Sequence, residues 1–139
     1  MTASGGQART GRLHREVREV MTPGVVAVPG DASLRQVYGA LAAHGVHAVL
    51  VLDHKSAAPI GWISATGLLQ WAVKGPHHQT AQHAVCEPIH TIAPGAPVDD
   101  AVQLLLQPGV SHVLVAHERS ATGEGVISAL DIAGLLSGR

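Results

Sequence analysis

The sequence predicts an α/β protein of the mixed α+β kind, built from two β-α-β-β-α repeats that pack as a pseudo-two-fold pair. Three observations lead to this prediction: an internal repeat at a spacing of about 65 residues, short runs rich in β-branched residues, and amphipathic segments between those runs. A copy of that length is close to the size at which a single hydrophobic core becomes marginal. The two copies are therefore expected to share a core.

The internal repeat is readable in three pairs of stretches. These pairs are Met21-Thr22-Pro23 with Cys86-Glu87-Pro88, residues 44–51 with 108–115, and residues 61–68 with 125–132. They place the first copy at residues 12–75 and the second at 76–139. Residues 1–11 are small, polar and rich in glycine, so they are predicted to form a disordered N-terminus.

Secondary structure follows from the hydrophobic pattern and from the glycines and prolines that interrupt it. A helix is predicted to begin at Arg12 and to end near Thr22, because a proline disfavours helix in the residue before it. Ser33, or alternatively Asp31, is expected to cap the next helix, which ends at Gly45. The other predicted strands are 25–28, 47–52, 60–64, 91–92, 111–116 and 125–128, and the other predicted helices are 66–73, 81–85, 97–107 and 131–136.

Composition excludes several classes of protein. The formal net charge of −1 provides no global attraction to nucleic acid or to an acidic membrane. No stretch approaches the roughly 18 apolar residues of a membrane span, and no signal-peptide run is visible, so a cytoplasmic protein is expected. The single cysteine, Cys86, excludes an intramolecular disulfide.

Motifs for metal binding and catalysis are missing from the sequence. The ten histidines are scattered, without the spacing of a zinc site, so no metal is expected. Neither a phosphate-binding Gly-x-x-x-x-Gly-Lys-Ser/Thr loop nor a Gly-x-Ser-x-Gly nucleophile motif occurs. The chain is therefore not expected to be an enzyme.

Three stretches in each copy, at its entry, middle and end, resemble motifs of CBS domains. Residues 17–23, Val-Arg-Glu-Val-Met-Thr-Pro, resemble the family's opening motif, and residues 125–131, Gly-Val-Ile-Ser-Ala-Leu-Asp, resemble its closing Gly-hydrophobic-hydrophobic-Thr/Ser-x-x-Asp motif. From about residue 12 to 136, the chain resembles a tandem CBS pair, also called a Bateman module. This resemblance implies a regulatory module that binds adenine nucleotides or related adenosyl compounds between paired units and that associates into a disk-like homodimer.

The Ser-x-x-Asp spacing of the closing motif suits a sugar. Ser128 ends a predicted strand and Asp131 opens a helix, so the carboxylate of Asp131 can accept hydrogen bonds from the 2′- and 3′-hydroxyls of a ribose. The helix N-terminus adds unpaired N–H groups for ribose or phosphate. The resemblance places Val126 against an adenine. The alternative is that Ser128 and Asp131 only cap the helix.

Five further residues are candidates for contacts with the ligand. Thr91 and Ile92 are expected to line the adenine side of the second cleft, and His47, Ser111 and His112 to lie near the outer end of the ligand. Gly67 stands where the second copy has Asp131, so the first cleft is expected to be empty, degenerate or specialised.

Two functional hypotheses remain open. In the first, the chain senses a ligand such as AMP, ADP, ATP or S-adenosylmethionine, has no obligatory cofactor, and signals to an unknown protein partner. An AMP-like ligand is preferred over ATP, because Leu130 occupies the position where polyphosphate-binding relatives often carry a basic residue. In the second, the chain is a ligand-free structural scaffold for dimerisation.

Overall fold

The computed structural model describes residues 12–75, 79–117 and 123–138. The predicted disorder of residues 1–11 lies outside these described residues. In chain order the helices and strands are α1 (Val17–Val20), β1 (Thr22–Pro23), β2 (Ala27–Pro29), α2 (Leu34–His44), β3 (Ala48–Leu52), β4 (Pro59–Ser64), α3 (Ala65–Lys74), α4 (Ala81–Ala84), β5 (Thr91–Ile92), α5 (Val98–Leu105), β6 (His112–Val115), β7 (Gly125–Ser128) and α6 (Ala129–Leu136). The predicted α+β class with two repeats of sheet and helices is confirmed.

The chain divides into two compact units. Unit 1 contains the described parts of Met1–Gly24 and His90–Arg139, and unit 2 is Val25–Ile89. The sheet of unit 1 has the strand order β1-β7-β6-β5, and the sheet of unit 2 has the order β2-β3-β4. Strand β2 runs parallel to β3, and β5 runs parallel to β6. Strand β4 runs antiparallel to β3, and β7 runs antiparallel to β6.

Strand register supports the sequence alignment of the two copies. In unit 1, Val126 of β7 lies opposite Leu114 of β6 and also opposite Thr22 of β1. In unit 2, Trp62 of β4 lies opposite Leu50 of β3 and forms an isolated bridge with Glu87. Positions that correspond in sequence therefore occupy corresponding places in the two sheets.

Each leading segment, residues 12–24 in the first copy and 80–89 in the second, pairs with the sheet of the other copy. Strand β1 pairs with β7, and Gly24 N–H donates to the Glu124 carbonyl at 2.9 Å. In unit 2, the Trp62 N–H donates to the Glu87 carbonyl at 3.0 Å. The compact units and the sequence repeats, 12–75 and 76–139, are consequently different divisions of the chain.

The continuous helix predicted from Arg12 to Thr22 is wrong. Helix α1 has only four residues, and Glu16 before it bridges to Pro97. The Val17 N–H donates to the Ala96 carbonyl at 2.9 Å, and the Arg18 N–H donates to the Pro94 carbonyl at 2.9 Å. These backbone groups bond to a loop distant in sequence, so they cannot extend an upstream helix.

The remaining helices follow the predicted pattern closely. Ser33 caps α2: its hydroxyl accepts from the Gln36 N–H at 3.1 Å, and its own N–H donates to the Gln36 side chain at 2.8 Å. This is a capping box, with glutamine at the third helical position. Gly45 ends α2 with φ of 61°, a left-handed conformation that favours glycine. Among the helices that the structure describes, none has the length and apolar character needed to cross a lipid bilayer.

Candidate functional site

The unit 1 sheet has one face on a hydrophobic core, and its other face carries both polar and apolar side chains, of which Leu114 is buried at 2% exposure. Successive side chains of a strand point to opposite faces. The core takes one set of alternating residues, Ile92, Val113, Val115 and Ile127. The intervening positions, together with Thr22 of β1, form what we call the site face: Thr22, Thr91, His112, Leu114, Val126 and Ser128.

Asp131 lies in the first turn of α6, next to the end of β7, and its carboxylate holds three hydrogen bonds. The Ser128 N–H donates to Oδ2 at 2.9 Å, and the Ser128 hydroxyl approaches the same oxygen at 3.3 Å. The Thr22 hydroxyl donates to Oδ1 at 2.8 Å. The capping role weighed from sequence is thus present, and the half-buried carboxylate is held in one orientation at the edge of the site face.

His112 lies directly across the sheet from Ser128, because the two residues are partners in the β6–β7 register. Its Nδ1 atom is 2.7 Å from the Ser111 hydroxyl. Ser111 is exposed and precedes β6, whereas His112 is half-buried within the strand. The structure therefore brings three predicted residues, Ser111, His112 and Ser128, to the same end of the sheet as Asp131.

The predicted adenine-lining residues are not all on one face. Thr91 pairs with Leu114, which in turn pairs with Val126, so Thr91 and Val126 share the site face. Ile92 is buried in the unit 1 core and points the other way. Of the three residues, Thr91 and Val126 therefore share the site face, and Ile92 does not.

His47, the remaining predicted residue, belongs to unit 2. It is exposed and precedes β3, and its carbonyl accepts a hydrogen bond from the Ala65 N–H at the start of α3 at 2.8 Å. The register aligns Ala48, not His47, with Ser64, so the position of His47 corresponds to that of Ser111 in unit 1.

In unit 2, the place that corresponds to the Asp131 carboxylate is occupied by the thiol of Cys86. The Ser64 hydroxyl accepts from the Gly67 N–H at 3.0 Å, and Cys86 Sγ lies 3.7 Å from that hydroxyl. A Cβ atom on Gly67 would come within 2.6 Å of Cys86 Sγ. Unit 2 therefore has no carboxylate at the third position of its closing helix, and it has little space for one.

Thr22 is a residue of the site that sequence reasoning missed. The sequence placed it at the end of a helix, yet it forms part of β1 and bonds to Asp131, 109 residues later. Its place in the Met-Thr-Pro motif was visible. Its partner was not, because the pairing of β1 with β7 depends on the path of the chain.

The described cationic side chains of unit 1 are engaged away from Asp131. Arg12 donates to the Leu136 carbonyl at 3.0 Å, Arg15 pairs with Glu19 at 2.9 Å, and Arg18 pairs with Glu16 at 3.1 Å. The hydrogen bond from Arg15 also holds the pKa of Glu19 below its usual value. Within residues 12–75, 79–117 and 123–138, no three histidine, cysteine, aspartate or glutamate side chains are grouped to hold a metal ion.

These features agree with the comparisons with known proteins. The family model described as "CBS domain" matches the chain twice, at residues 17–74 and 83–138. The protein therefore belongs to the CBS domain family, and it carries two copies of the domain. A search of curated proteins finds no match to the chain.

Solved structures with the same fold include several CBS pairs. The CBS domain of the bacterial CNNM/CorC family Mg²⁺ transporter, in complex with ATP, has a TM-score of 0.79 and 20% identity, covering 95% of this chain and 94% of that one. A CBS domain protein from Pyrobaculum aerophilum complexed with AMP has a TM-score of 0.76 and 20% identity, covering 88% and 96%. The CBS domain pair of MJ0100, in complex with 5′-methylthioadenosine and S-adenosyl-L-methionine, has a TM-score of 0.76 and 16% identity, covering 88% and 96%.

Proposed function

We propose that this chain is a cytoplasmic regulatory CBS pair that binds an adenosine-containing ligand at Ser128 and Asp131 and signals to a partner protein. The observation that supports the proposal best is the Asp131 carboxylate, held at the end of the site face beside the N-terminus of α6. A carboxylate so placed suits the cis-diol of a ribose. Structures of the same fold contain AMP, ATP or S-adenosyl-L-methionine, which supports an adenosyl ligand.

A monophosphate or a nucleoside is proposed over a triphosphate. Arg12, Arg15 and Arg18 of unit 1 are bound to other groups, and Leu130 before Asp131 carries no charge. A triphosphate normally needs several charge-assisted hydrogen bonds. No obligatory cofactor and no chemical step are assigned to the chain.

The experiment that tests this function is thermal unfolding with AMP, ADP, ATP, S-adenosylmethionine and NAD(H). At 100 times its dissociation constant, a ligand stabilises the folded state by about 2.7 kcal/mol. We expect a shift with an adenosyl monophosphate or adenosyl compound, and its loss in Asp131→Ala. Asp100→Ala is the matched control, because Asp100 occupies the same third position of α5 and is exposed.

The outcomes separate the two functional hypotheses. A ligand shift in the wild type and in Asp100→Ala, absent in Asp131→Ala, supports sensing through the second copy. A shift that persists in Asp131→Ala contradicts the proposed site. No shift across the panel, with all three proteins folded, contradicts sensing and favours a ligand-free dimerisation scaffold.

A homodimer is also proposed, formed through the last helix of each copy. On α3, Leu69 is 64% exposed and Val73 is 88% exposed, four residues apart on one face. On the equivalent helix α6, Leu130 is 73% exposed. The last helix of each repeat thus exposes apolar side chains. This favours another molecule of the same chain as the binding partner.

Sedimentation velocity tests the homodimer. We expect the wild type to sediment as a dimer, and the double variant Leu69→Glu/Val73→Glu to sediment as a monomer, because two glutamates from each chain would be left buried and unpaired at the interface. Leu106→Glu is the control, since Leu106 is 72% exposed at the end of α5. A wild type that is monomeric at high micromolar concentration contradicts the proposed assembly.

A further inference from the structure

We infer that Thr22 is a positioning residue of the ligand site: its hydroxyl fixes the orientation of the Asp131 carboxylate that receives the ribose hydroxyls. This inference rests on the proposed function. It adds to the site a residue from the leading segment of the first copy, whereas Ser128 and Asp131 come from the second copy. The 2.8 Å hydrogen bond from Thr22 Oγ1 to Asp131 Oδ1 supports this inference.

The three donors around Asp131 leave one defined direction for a ligand. An ionised carboxylate has about four lone-pair positions. The Ser128 N–H and hydroxyl both address Oδ2, and Thr22 addresses Oδ1. The free position therefore lies on Oδ1, next to the Thr22 hydroxyl.

A cis-diol donates two hydrogen bonds and needs two acceptor positions, so one of the three existing hydrogen bonds to the Asp131 carboxylate must break. The Ser128 hydroxyl contact is the longest of the three, at 3.3 Å, and a hydroxyl rotates easily. The Ser128 N–H is fixed by the backbone at the start of α6, and the hydrogen bond from the Thr22 hydroxyl is shorter, at 2.8 Å. We therefore expect the Ser128 hydroxyl to turn toward the ligand while Thr22 and the Ser128 N–H keep the carboxylate in place.

The position of Thr22 is set by the sheet and not by its own side chain. Strand β1 is held in register with β7, where Thr22 faces Val126 and Pro23 faces Gly125. The next residue, Gly24, donates to the Glu124 carbonyl at 2.9 Å. Replacing the hydroxyl by a methyl group therefore removes the bond to Asp131 and leaves the backbone pairing intact.

The equivalent arrangement in unit 2 differs at both positions. Glu87 occupies the register position equivalent to Thr22, and Gly67 occupies that of Asp131. The hydroxyl and the carboxylate that it orients thus occur together in unit 1 and are replaced together in unit 2. A joint replacement is what a pair acting as one unit would show.

The test measures binding of AMP and of 2′,3′-dideoxy-AMP to the wild type, Thr22→Val and Thr22→Ser by isothermal titration. Thr22→Val keeps the shape of the side chain without the hydroxyl, and Thr22→Ser keeps the hydroxyl. We expect Thr22→Val to weaken AMP binding by about threefold to tenfold, the value of one hydrogen bond. Binding of the dideoxy analogue, which lacks the hydroxyls that Asp131 receives, should stay unchanged, and Thr22→Ser should match the wild type.

Each result decides between alternatives. A purely structural role for Thr22 would weaken AMP and the dideoxy analogue equally, which would overturn the inference. Equal AMP binding by the wild type and Thr22→Val would also overturn it, while leaving the proposed function standing. If the wild type bound neither nucleotide nor any other adenosyl compound of the panel, the proposed function would fail and the inference with it.

Discussion

Gly125 and Gly61 are the residues that allow the leading segments to approach the closing strands. A Cβ atom on Gly125 would come within 2.6 Å of the Thr22 carbonyl oxygen, and one on Gly61 within 2.8 Å of the Glu87 carbonyl oxygen. A backbone carbonyl cannot rotate away as the end of a side chain can. Glycine at both positions is therefore required by close packing.

We expect Gly125→Ala to lower the free energy of unfolding by about 2 kcal/mol or more, because the added methyl group forces β1 away from β7. Gly39→Ala is the matched control. Gly39 lies within α2 with nothing near its Cβ position, so alanine should raise stability by about 0.5–1 kcal/mol. Urea unfolding of both variants measures the two effects. Equal stability of Gly125→Ala and wild type would contradict the close approach of β1.

Ser128 and Asp131 illustrate what spacing alone can predict at the scale of residues. Their separation of three positions at a strand–helix junction indicated a cap or a ligand contact, and the structure contains the cap. Whether a ligand also binds there stays a prediction. The exposed thiol of Cys86, which the sequence showed only to exclude an intramolecular disulfide, lies beside Ser64 and Gly67.

At the scale of elements, most strands and helices were predictable because their signals are local. Strands β5 and β7 have the predicted bounds, Thr91–Ile92 and Gly125–Ser128. Helix α2 was predicted from its apolar spacing, its serine cap and its final glycine. The leading helix was predicted wrongly, because the backbone of Val17 bonds to the Ala96 carbonyl, a partner that no local pattern identifies.

The cap of α2 provides a prediction at this scale. We expect Ser33→Ala to lower the free energy of unfolding by about 1 kcal/mol, because the Gln36 N–H loses its acceptor. Ser33→Asp is the control, since an aspartate at the N-cap also accepts from that N–H. Chemical denaturation of the two variants checks the prediction. A Ser33→Asp variant as unstable as Ser33→Ala would show that the loss does not come from the cap.

At the scale of the whole molecule, the sequence repeat is not the compact unit. Unit 2 is one continuous stretch, Val25–Ile89, which includes α4 and Glu87 from the leading segment of the second copy. The Ala81 N–H donates to the Ala32 carbonyl at 2.8 Å, and Ala81 and Ala84 are part of the unit 2 core. A boundary at residue 75 would remove these groups from the sheet that they complete.

Two fragments of nearly equal length test this division. We expect residues 25–89 to give a cooperative urea transition followed by circular dichroism. We expect residues 12–75 to give none, because this fragment lacks α4 and exposes the core position of Ala81. Fragments of this size have marginal stability, so the result is read from the difference between the two fragments. Cooperative unfolding of 12–75 and its absence in 25–89 would contradict the assignment of the leading segments.

By itself, the sequence determined the two repeats, the α+β class, most elements and the Ser128–Asp131 spacing. These properties depend on hydrophobic periodicity, caps and glycines within a few residues of one another. Only the tertiary structure decided that each leading segment pairs with the sheet of the other copy and that Thr22 bonds to Asp131, 109 residues away. Such contacts depend on which groups the folded chain brings within hydrogen-bond distance. Local residue preferences do not indicate which distant residues become neighbours.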